Sequence, residues 1–313
     1  MARALVFPGQ GSQAVGMGQA LAEAFAAARL VFEEVDEALK QKLSKLMFEG
    51  PEADLTLTEN AQPALMAVSV AVLRVLESEG KLELGKAAKF VAGHSLGEYS
   101  ALTAARAIAL ADTARLLKRR GLAMQRAVPV GVGAMAALMG LELEPAKEIA
   151  REAAQGEVCD PANDNAPGQV VVSGHKTAVE RAIELAKTKG GKRGILLPVS
   201  APFHCALMQP AADEMSEALG ATTIMPPAVP LVANVSARAE SDPATIRKLL
   251  VTQVTTTVRW RESVLYMKAQ GVDSLVELGA GRVLGTLVKR IDKEMTGVSV
   301  GAPADIEALL KTV

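Results

Sequence analysis

The sequence predicts an α/β protein in which a parallel sheet is covered by helices. Short apolar strands alternate with helices in residues 1–128 and again in residues 199–313, and this alternation is typical of parallel sheets. Half of the 313 residues are apolar and only 3% are aromatic. That composition favours helix-rich packing over an all-β sandwich.

The individual elements follow from apolar periodicity and from turn residues. We expect four strands of the main sheet, over residues 4–7, 89–92, 231–234 and 274–278. We expect its helices over residues 17–25, 29–39, 64–79, 98–107, 110–126, 208–219, 243–251 and 260–271, and another after Gly281. Pro63 is expected near the first turn of the helix over 64–79, where a missing N–H costs little.

A different pattern occupies the middle of the chain. Its segments read strand 133–139, helix 144–155, strands 158–163 and 169–173, helix 177–189 and strand 194–199. The order β-α-β-β-α-β is that of a ferredoxin-like unit. We therefore expect a small ferredoxin-like domain over 129–198, inserted into a large domain formed by 1–128 and 199–313, with a cleft between them.

Composition excludes several classes of protein. The formal net charge of −1 gives no global basic excess for nucleic acid. The two cysteines, Cys159 and Cys205, cannot build a disulfide framework, and no Cys/His spacing matches a zinc site. The longest apolar stretch, 64–73, is too short to cross a membrane. We expect a cytoplasmic protein with no metal, no cofactor, no nucleic-acid partner and no membrane association.

The segment Gly93-His94-Ser95-Leu96-Gly97 stands between a strand and a helix. A serine is a weak nucleophile unless a base accepts its proton. A sharp strand-to-helix turn exposes the hydroxyl, and flanking glycines avoid steric conflict there. The turn also aims the Leu96 N–H at the carbonyl under attack. We interpret Ser95 as a nucleophile, and the alternative is a purely structural turn.

Three histidines could supply the base. His94 adjoins Ser95, so its side chain points elsewhere and is expected to support the turn. His175 begins a helix of the small domain, where a capping or surface role is the default. His204 follows the last strand of the small domain and would face the cleft, which makes it the candidate base.

A third, acidic member of a catalytic triad is not evident. Asp112, Asp160 and Asp164 lie between Ser95 and His204 in the chain, but none follows a clear strand of the large domain. A dyad whose histidine is oriented by a backbone carbonyl or an amide side chain is therefore expected. Cys205, next to His204, is interpreted as a small buried thiol.

Two further features have both a structural and a functional interpretation. Residues 9–14, GQGSQA, satisfy a loose dinucleotide fingerprint, but the acid that this fingerprint requires would lie in a helix. The segment is either a simple turn or a source of an oxyanion-binding N–H from Gln10. Arg120 is explained by a helix surface alone, yet a substrate carboxylate would find a bidentate partner in it.

Together these motifs resemble the malonyl-CoA:acyl-carrier-protein transacylases, and the resemblance covers essentially the whole chain. FPGQGSQ at 7–13 and GHSLGE at 93–98 carry most of its specificity. The other matching segments are QPAL at 62–65, RG at 120–121, NAPGQ at 165–169, PFH at 202–204, Gln253 and ELG at 277–279.

The resemblance implies a role for each matching residue. It implies Ser95 as the acylated nucleophile, His204 as the base, and Gln10 and Leu96 as oxyanion N–H donors. It further implies that Arg120 binds the malonyl carboxylate, that the Gln253 carbonyl orients His204, and that Gln62 lines the pocket. An α/β-hydrolase-like large domain and the ferredoxin-like insertion also match the family.

The implied reaction moves malonyl from malonyl-CoA to Ser95 and then to the phosphopantetheine thiol of a holo acyl carrier protein, which supplies fatty-acid elongation. The carrier is expected to be acidic, with Lys118, Lys187, Lys189 and Arg193 as candidate contacts. Two rivals remain: a hydrolase built on the same turn, and a non-catalytic binding subunit that keeps the fold.

Overall fold

A computed structural model describes residues 2–311 as an α/β protein with two sheets. The larger sheet has six strands in the order β10-β9-β1-β2-β7-β8. Its strands are β1 (Arg3–Phe7), β2 (Phe90–Gly93), β7 (Leu231–Val232), β8 (Ala239–Glu240), β9 (Ser274–Leu278) and β10 (Thr296–Val300). The first five in that order are mutually parallel, and β8 pairs antiparallel with β7 at one edge. The sheet is therefore mixed.

Both faces of the larger sheet are buried, which explains its nearly continuous apolar strands. In β1, Leu5 and Phe7 belong to one apolar core, while Ala4 and Val6 belong to the core on the opposite face. Successive strand side chains point to opposite faces. An unbroken apolar strand of this kind is consequently what a sheet covered by helices on both sides requires.

Fifteen α-helices occur within residues 2–311. Those before residue 129 are α1 (Gln19–Ala24), α2 (Ala26–Leu39), α3 (Leu43–Glu49), α4 (Glu52–Thr56), α5 (Thr58–Gly80), α6 (Leu84–Ala87), α7 (Leu96–Ala104) and α8 (Leu110–Ala127). The later ones are α9 (Leu143–Ala154), α10 (Lys176–Thr188), α11 (Gln209–Gly220), α12 (Pro243–Gln253), α13 (Trp260–Ala269), α14 (Val283–Ile291) and α15 (Pro303–Leu310), and a 3₁₀ helix spans Ala206–Met208.

Helix α5 begins earlier than the sequence suggested. It starts at Thr58, so Pro63 lies inside the helix and not in its first turn. The early start is supported by close packing, because a Cβ on Gly121 of α8 would lie 2.5 Å from the Glu59 Cα. By length and apolar composition alone α5 could cross a membrane, although its uninterrupted apolar stretch is shorter. However, 83% of its apolar window is buried inside the protein, as in a core helix.

The second sheet has four strands in the order β4-β5-β3-β6, and all neighbouring pairs are antiparallel. These strands are β3 (Gly133–Met139), β4 (Cys159–Ala166), β5 (Gln169–His175) and β6 (Arg193–Leu196). Helices α9 and α10 pack against them around a separate apolar core. One face of the sheet joins the main apolar core through Met135, Ala137 and Val171, and Asn163 forms a parallel bridge with Val258.

The elements that the sequence did not predict are short or lie at an edge. Helices α3, α4 and α6 have 7, 5 and 4 residues, too few for apolar periodicity to emerge. Strand β10 is at the sheet edge and only its last residue is buried, so it lacks the apolar signal of a central strand. The two-residue strand β8 pairs only with β7.

Candidate active site

Ser95 occupies a strained turn between β2 and α7. Its backbone has φ 54° and ψ −111°, a conformation that L residues rarely adopt. The turn closes through close backbone contacts: a Cβ on Gly93 would lie 1.9 Å from the Gly97 carbonyl oxygen, and one on Gly97 would lie 2.2 Å from the Phe7 carbonyl oxygen. Glycine is therefore required at both positions, and the turn presents the Ser95 side chain at the tip of the strand.

His204 lies directly beside Ser95. Its Nε2 is 2.8 Å from the Ser95 Oγ, and its Nδ1 is 2.8 Å from the carbonyl oxygen of Gln253. A carbonyl oxygen can only accept, so Nδ1 carries the ring proton and Nε2 accepts from the serine hydroxyl. The arrangement is a Ser–His pair oriented by a backbone carbonyl, without an acidic third member.

Burial keeps His204 neutral. The side chain is buried, and burial, followed by the positive charge of Arg120, lowers the pKa of His204 to about 3. A neutral imidazole with a free Nε2 lone pair is the state in which a histidine can accept the proton of a nucleophile. Like Ser95, His204 has a positive φ, 59°, so both members of the pair are held in uncommon backbone conformations.

Arg120 projects from α8 into the same site and is only 1% exposed. Its Nη2 donates to the Ser95 Oγ at 3.1 Å and to the Gln253 Oε1 at 2.9 Å, while its Nη1 donates to the Gln62 Oε1 at 2.8 Å. The guanidinium carbon lies 5.7 Å from the centre of the Tyr99 ring. Its hydrogen-bonding partners are all neutral groups, so this buried cation can attract an anion beside the serine.

A cavity of about 650 Å³ opens onto these residues. Its wall includes Gln10, Gln62, Ser95, Leu96, Arg120 and His204. Residues of the second sheet, among them Met135 and Asn163, line the opposite side. The cavity therefore lies between the two sheets and is large enough for an extended thioester arm.

The two expected oxyanion donors both line this cavity. Leu96 is the first residue of α7, so its N–H has no intrahelical acceptor. Gln10 stands in the turn that follows β1. That turn packs on residues 93–97, here called the serine turn, since a Cβ on Gly9 would lie 2.9 Å from the His94 carbonyl oxygen. The close contact of Gly9 with His94 thus places Gln10 beside the turn that carries Ser95.

Asn234, which sequence analysis did not single out, holds the serine turn from below. Its Oδ1 accepts from the Ser95 N–H at 2.8 Å, and its Nδ2 donates to the Gly93 carbonyl oxygen at 2.6 Å. Asn234 is fully buried. In the sequence it is simply the last residue of the strand predicted over 231–234, so no local signal could have revealed this role.

Glu98 is the second residue that the sequence did not assign. It is 1% exposed, and its Oε2 accepts from the Gln253 Nε2 at 2.6 Å and from the Asn234 N–H at 3.3 Å. Burial raises the pKa of Glu98 to about 7, against the opposing effects of these hydrogen bonds and of Arg120. Gln253 consequently contacts Glu98, Arg120 and His204 at once.

The remaining histidines and the thiol lie outside the Ser–His pair. The His94 Nε2 is 2.8 Å from the Asn165 Oδ1 on β4, which ties the serine turn to the second sheet. His175 accepts from the Val158 N–H through its Nδ1 at 2.9 Å, and its side chain does not cap α10. Cys205 is buried and donates to the Pro202 carbonyl oxygen.

The candidate acids and the candidate lysine also have other partners. Asp160 accepts from the Ala206 N–H, Asp164 pairs with Arg261 and Asp112 pairs with Arg115. The Lys118 ammonium donates to Gln41 and Asn60, so it is turned inward. Within residues 2–311, no cluster of three or more His, Cys, Asp or Glu side chains could hold a metal ion.

A half-buried serine beside a buried histidine and a buried arginine in one cavity is an arrangement suited to acyl transfer, and comparison with known proteins decides the family. The family model described as "Acyl transferase domain" matches residues 4–303. The chain belongs to this acyl transferase family. Within it, the chain is 47% identical to the malonyl CoA-acyl carrier protein transacylase of Escherichia coli strain K12, over 98% of both proteins.

Solved structures of other family members agree closely with this acyl transferase. The acyl-carrier-protein-S-malonyltransferase of Bartonella henselae is 57% identical, with a TM-score of 0.97 over 100% of this chain and 99% of that one. A malonyl-transacylase solved in complex with its type II polyketide-synthase acyl-carrier protein is 44% identical, with a TM-score of 0.96 over the whole of both chains. The resemblance to transacylases that the sequence motifs indicated is thereby confirmed.

Proposed function

We propose that this protein transfers malonyl from malonyl-CoA to the phosphopantetheine thiol of a holo acyl carrier protein through a malonyl ester on Ser95. The observation that carries the proposal is the position of Arg120, which is only 1% exposed and whose Nη2 lies 3.1 Å from the Ser95 Oγ. The carboxylate of malonyl is one methylene from its thioester carbonyl. An arginine beside the nucleophile therefore fits the malonyl group. It would have no carboxylate to bind in an unsubstituted acyl group such as acetyl.

In the first half-reaction Ser95 attacks the malonyl thioester. The hydroxyl gives its proton to the His204 Nε2, 2.8 Å away, while its oxygen bonds to the carbonyl carbon. The N–H groups of Gln10 and Leu96 stabilise the negative charge on the carbonyl oxygen, as expected for donors at a helix N-terminus and an adjoining turn. The C–S bond then breaks, and the thiolate of CoA takes the proton from His204.

The second half-reaction is the reverse with another thiol. The phosphopantetheine thiol of the carrier gives its proton to His204 and attacks the ester carbonyl, and Ser95 recovers its proton as the ester bond breaks. Serine ester and thioester are close enough in energy for the transfer to run in either direction. Arg120 holds the malonyl carboxylate throughout, which keeps the carbonyl carbon beside Ser95.

The proposed partner is an acidic acyl carrier protein in a cytoplasmic pathway of fatty-acid synthesis. Support comes from the relatives' names and from the family member solved with its carrier. Lys187 and Lys189 are exposed cations that form ion pairs with Glu184 and Glu152, respectively. Arg193 is exposed at the start of β6. These three are the proposed docking contacts, whereas the inward bonding of Lys118 removes it from the set.

We also infer that the two sheets correspond to two domains: residues 1–128 and 199–313 form an α/β-hydrolase-like catalytic domain, and residues 129–198 form a ferredoxin-like insertion. The order β4-β5-β3-β6 with antiparallel pairing supports this division, since it is the strand order of a β-α-β-β-α-β unit. The active-site cavity would then be the cleft between the domains.

The test is the mass of the intact protein after exposure to malonyl-CoA, with the modified peptide mapped. We expect a shift equal to one malonyl group, located on the peptide that contains Ser95. Ser95→Ala should abolish the shift, while Ser100→Ala, a buried serine on the same helix, should keep it. Unchanged labelling of Ser95→Ala would overturn the nucleophile assignment, whereas no labelling of the unsubstituted chain would favour a non-catalytic binding subunit.

A second measurement separates a transferase from a hydrolase. CoA release from malonyl-CoA is followed with and without a holo carrier protein. A transferase releases about one equivalent of CoA without an acceptor and continues only when the carrier is present. Continuous release that needs no acceptor thiol would show that water resolves the acyl-enzyme, and would make this protein a thioesterase.

A further inference from the structure

Glu98 and Arg120 lie on either side of one amide group. The Gln253 Nε2 donates to the Glu98 Oε2 at 2.6 Å, and the Oε1 of the same amide accepts from the Arg120 Nη2 at 2.9 Å. Both charged side chains are 1% exposed. A carboxyl and a guanidinium are thus held close together away from water, where their charges are only weakly screened.

The Glu98 carboxyl is only half satisfied by hydrogen bonds. Its Oε2 accepts from Gln253 and Asn234, whereas its buried Oε1 has no partner within residues 2–311. An ionised carboxylate is stabilised by donors to both oxygens, and a neutral carboxyl needs fewer. Burial therefore raises the pKa of Glu98 to about 7, so both of its protonation states are populated near neutral pH.

Arg120 is the charged group that Glu98 faces. Helix α7 packs against α5, α8, β1, β2 and β7, and among these Arg120 of α8 is the one that acts electrostatically on Glu98. Burial raises the pKa of Tyr99 to about 12 and lowers that of His204 to about 3, so both of these neighbours are neutral. Gln253 and Asn234 are amides and do not titrate.

We propose that Glu98 competes with the substrate carboxylate for Arg120, so that binding of a malonyl group is coupled to uptake of a proton by Glu98. This inference rests on the proposed function. The incoming carboxylate brings a second negative charge to the guanidinium, and Glu98 gives up its own charge by taking a proton from solvent. No bond of the substrate forms or breaks in this step.

The coupling makes Glu98 a specificity-determining residue. At a pH where Glu98 is ionised, it offsets the charge of Arg120 and opposes the substrate carboxylate. At a lower pH the neutral carboxyl leaves the full charge of Arg120 to the substrate. Because linkage is reciprocal, malonyl affinity falls as the pH rises through the range in which Glu98 ionises. An acetyl group has no carboxylate and is indifferent to this change.

Binding to the Ser95→Ala variant tests the coupling without turnover. The affinities for malonyl-CoA and acetyl-CoA are measured by calorimetry from pH 6 to pH 9. The phosphates of CoA titrate equally in both ligands, so the affinity ratio isolates the malonyl carboxylate. We expect the malonyl-to-acetyl ratio to fall by up to about tenfold per pH unit between the pKa values of Glu98 in the free and bound protein.

Proton uptake is measured directly in the same experiment. Titrations at about pH 7.5 in two buffers of different ionisation enthalpy give the number of protons bound with each ligand. We expect a fractional proton taken up with malonyl-CoA beyond that seen with acetyl-CoA. Equal proton counts for the two ligands, or a ratio that is constant from pH 6 to pH 9, would overturn the inference.

Glu98→Gln in the Ser95→Ala background is the matched control. Its amide oxygen can still accept from Gln253 and Asn234, but it cannot titrate. We expect a flat affinity ratio across the whole pH range, and an unchanged slope would overturn the inference. If this variant does not fold, the two-buffer comparison with Glu98 present still decides. Absence of malonyl labelling on Ser95 refutes the proposed function itself, whereas labelled Ser95 with a constant ratio refutes only the coupling.

Discussion

The Ser95 Oγ and the His204 Nε2 lie 2.8 Å apart, although 109 positions separate the two residues in the chain. The His204 Nδ1 is fixed by the Gln253 carbonyl oxygen, which sets the ring tautomer. The proton of Ser95 therefore has one acceptor in place before any substrate arrives. Acylation of Ser95 should depend on this contact more than on any other in the cavity.

Replacing His204 with Ala should slow malonyl labelling of Ser95 by about 10²–10⁴-fold, because a positioned general base contributes about that factor. The measurement is the single-turnover labelling rate, followed by intact mass. His175→Ala is a control, since His175 bonds to Val158 outside the cavity. A labelling rate within a factor of two for His204→Ala would contradict the assignment.

Replacing Arg120 with Ala should abolish malonyl transfer and leave acetyl transfer equal or faster. The Arg120 guanidinium lies beside Ser95, where it can bind the carboxylate of a malonyl group. An acetyl group has no carboxylate and does not need this contact. Transfer rates from malonyl-CoA and acetyl-CoA are compared in the same variant. Arg119→Ala is the matched control, because Arg119 is paired on the surface with Glu214 and Glu217. Equal loss of both transfers would make Arg120 a structural residue.

Replacing Asn234 with Ala should lower both stability and activity. The substitution leaves the buried Ser95 N–H and Gly93 carbonyl without their partners, and each unsatisfied group costs about 1–3 kcal/mol. It also removes the contact that holds Ser95 at a positive φ. Urea unfolding should give a loss of about 2 kcal/mol or more. If Asn234→Ala kept the stability and the labelling rate of the unsubstituted protein, the turn at Ser95 would not depend on Asn234.

Replacing Glu98 with Gln should change how stability depends on pH. Burial raises the pKa of Glu98 to about 7 in the folded protein, against 4.5 for an unperturbed glutamate side chain, so the folded state holds the proton more tightly. The stabilisation that this tighter proton binding gives the folded state is complete below pH 4.5 and is lost as the pH rises through about 7. Over that range the unfolding free energy should fall by about 3 kcal/mol relative to Glu98→Gln.

Urea unfolding of the wild-type chain and Glu98→Gln at pH 4.5 and pH 8 checks this expectation. His204 titrates in both chains: its folded pKa is lowered to about 3, so its contribution is lost as the pH falls below 6.5 and cancels in the difference. A difference in unfolding free energy that stays constant between the two pH values would contradict a buried, titrating Glu98.

Much of the fold could be read from local patterns. The strands at 133–139 and 274–278 have the predicted bounds, because apolar runs between turn residues define them. Prediction was poorest where an element depends on its neighbours. The start of α5 at Thr58 depends on contact with Gly121, and the edge strand β10 depends on pairing with β9.

Local sequence patterns were sufficient to predict the α/β class, the glycine-flanked turn at Ser95 and the resemblance to the transacylases. These features lie in short continuous segments, whose backbone and side-chain preferences are local. Three further features became visible only in the folded chain: Asn234 holds the serine turn, Gln253 joins Glu98 to Arg120, and Lys118 points inward. Such contacts arise from the order in which strands and helices pack, and that order brings together residues that no local pattern relates.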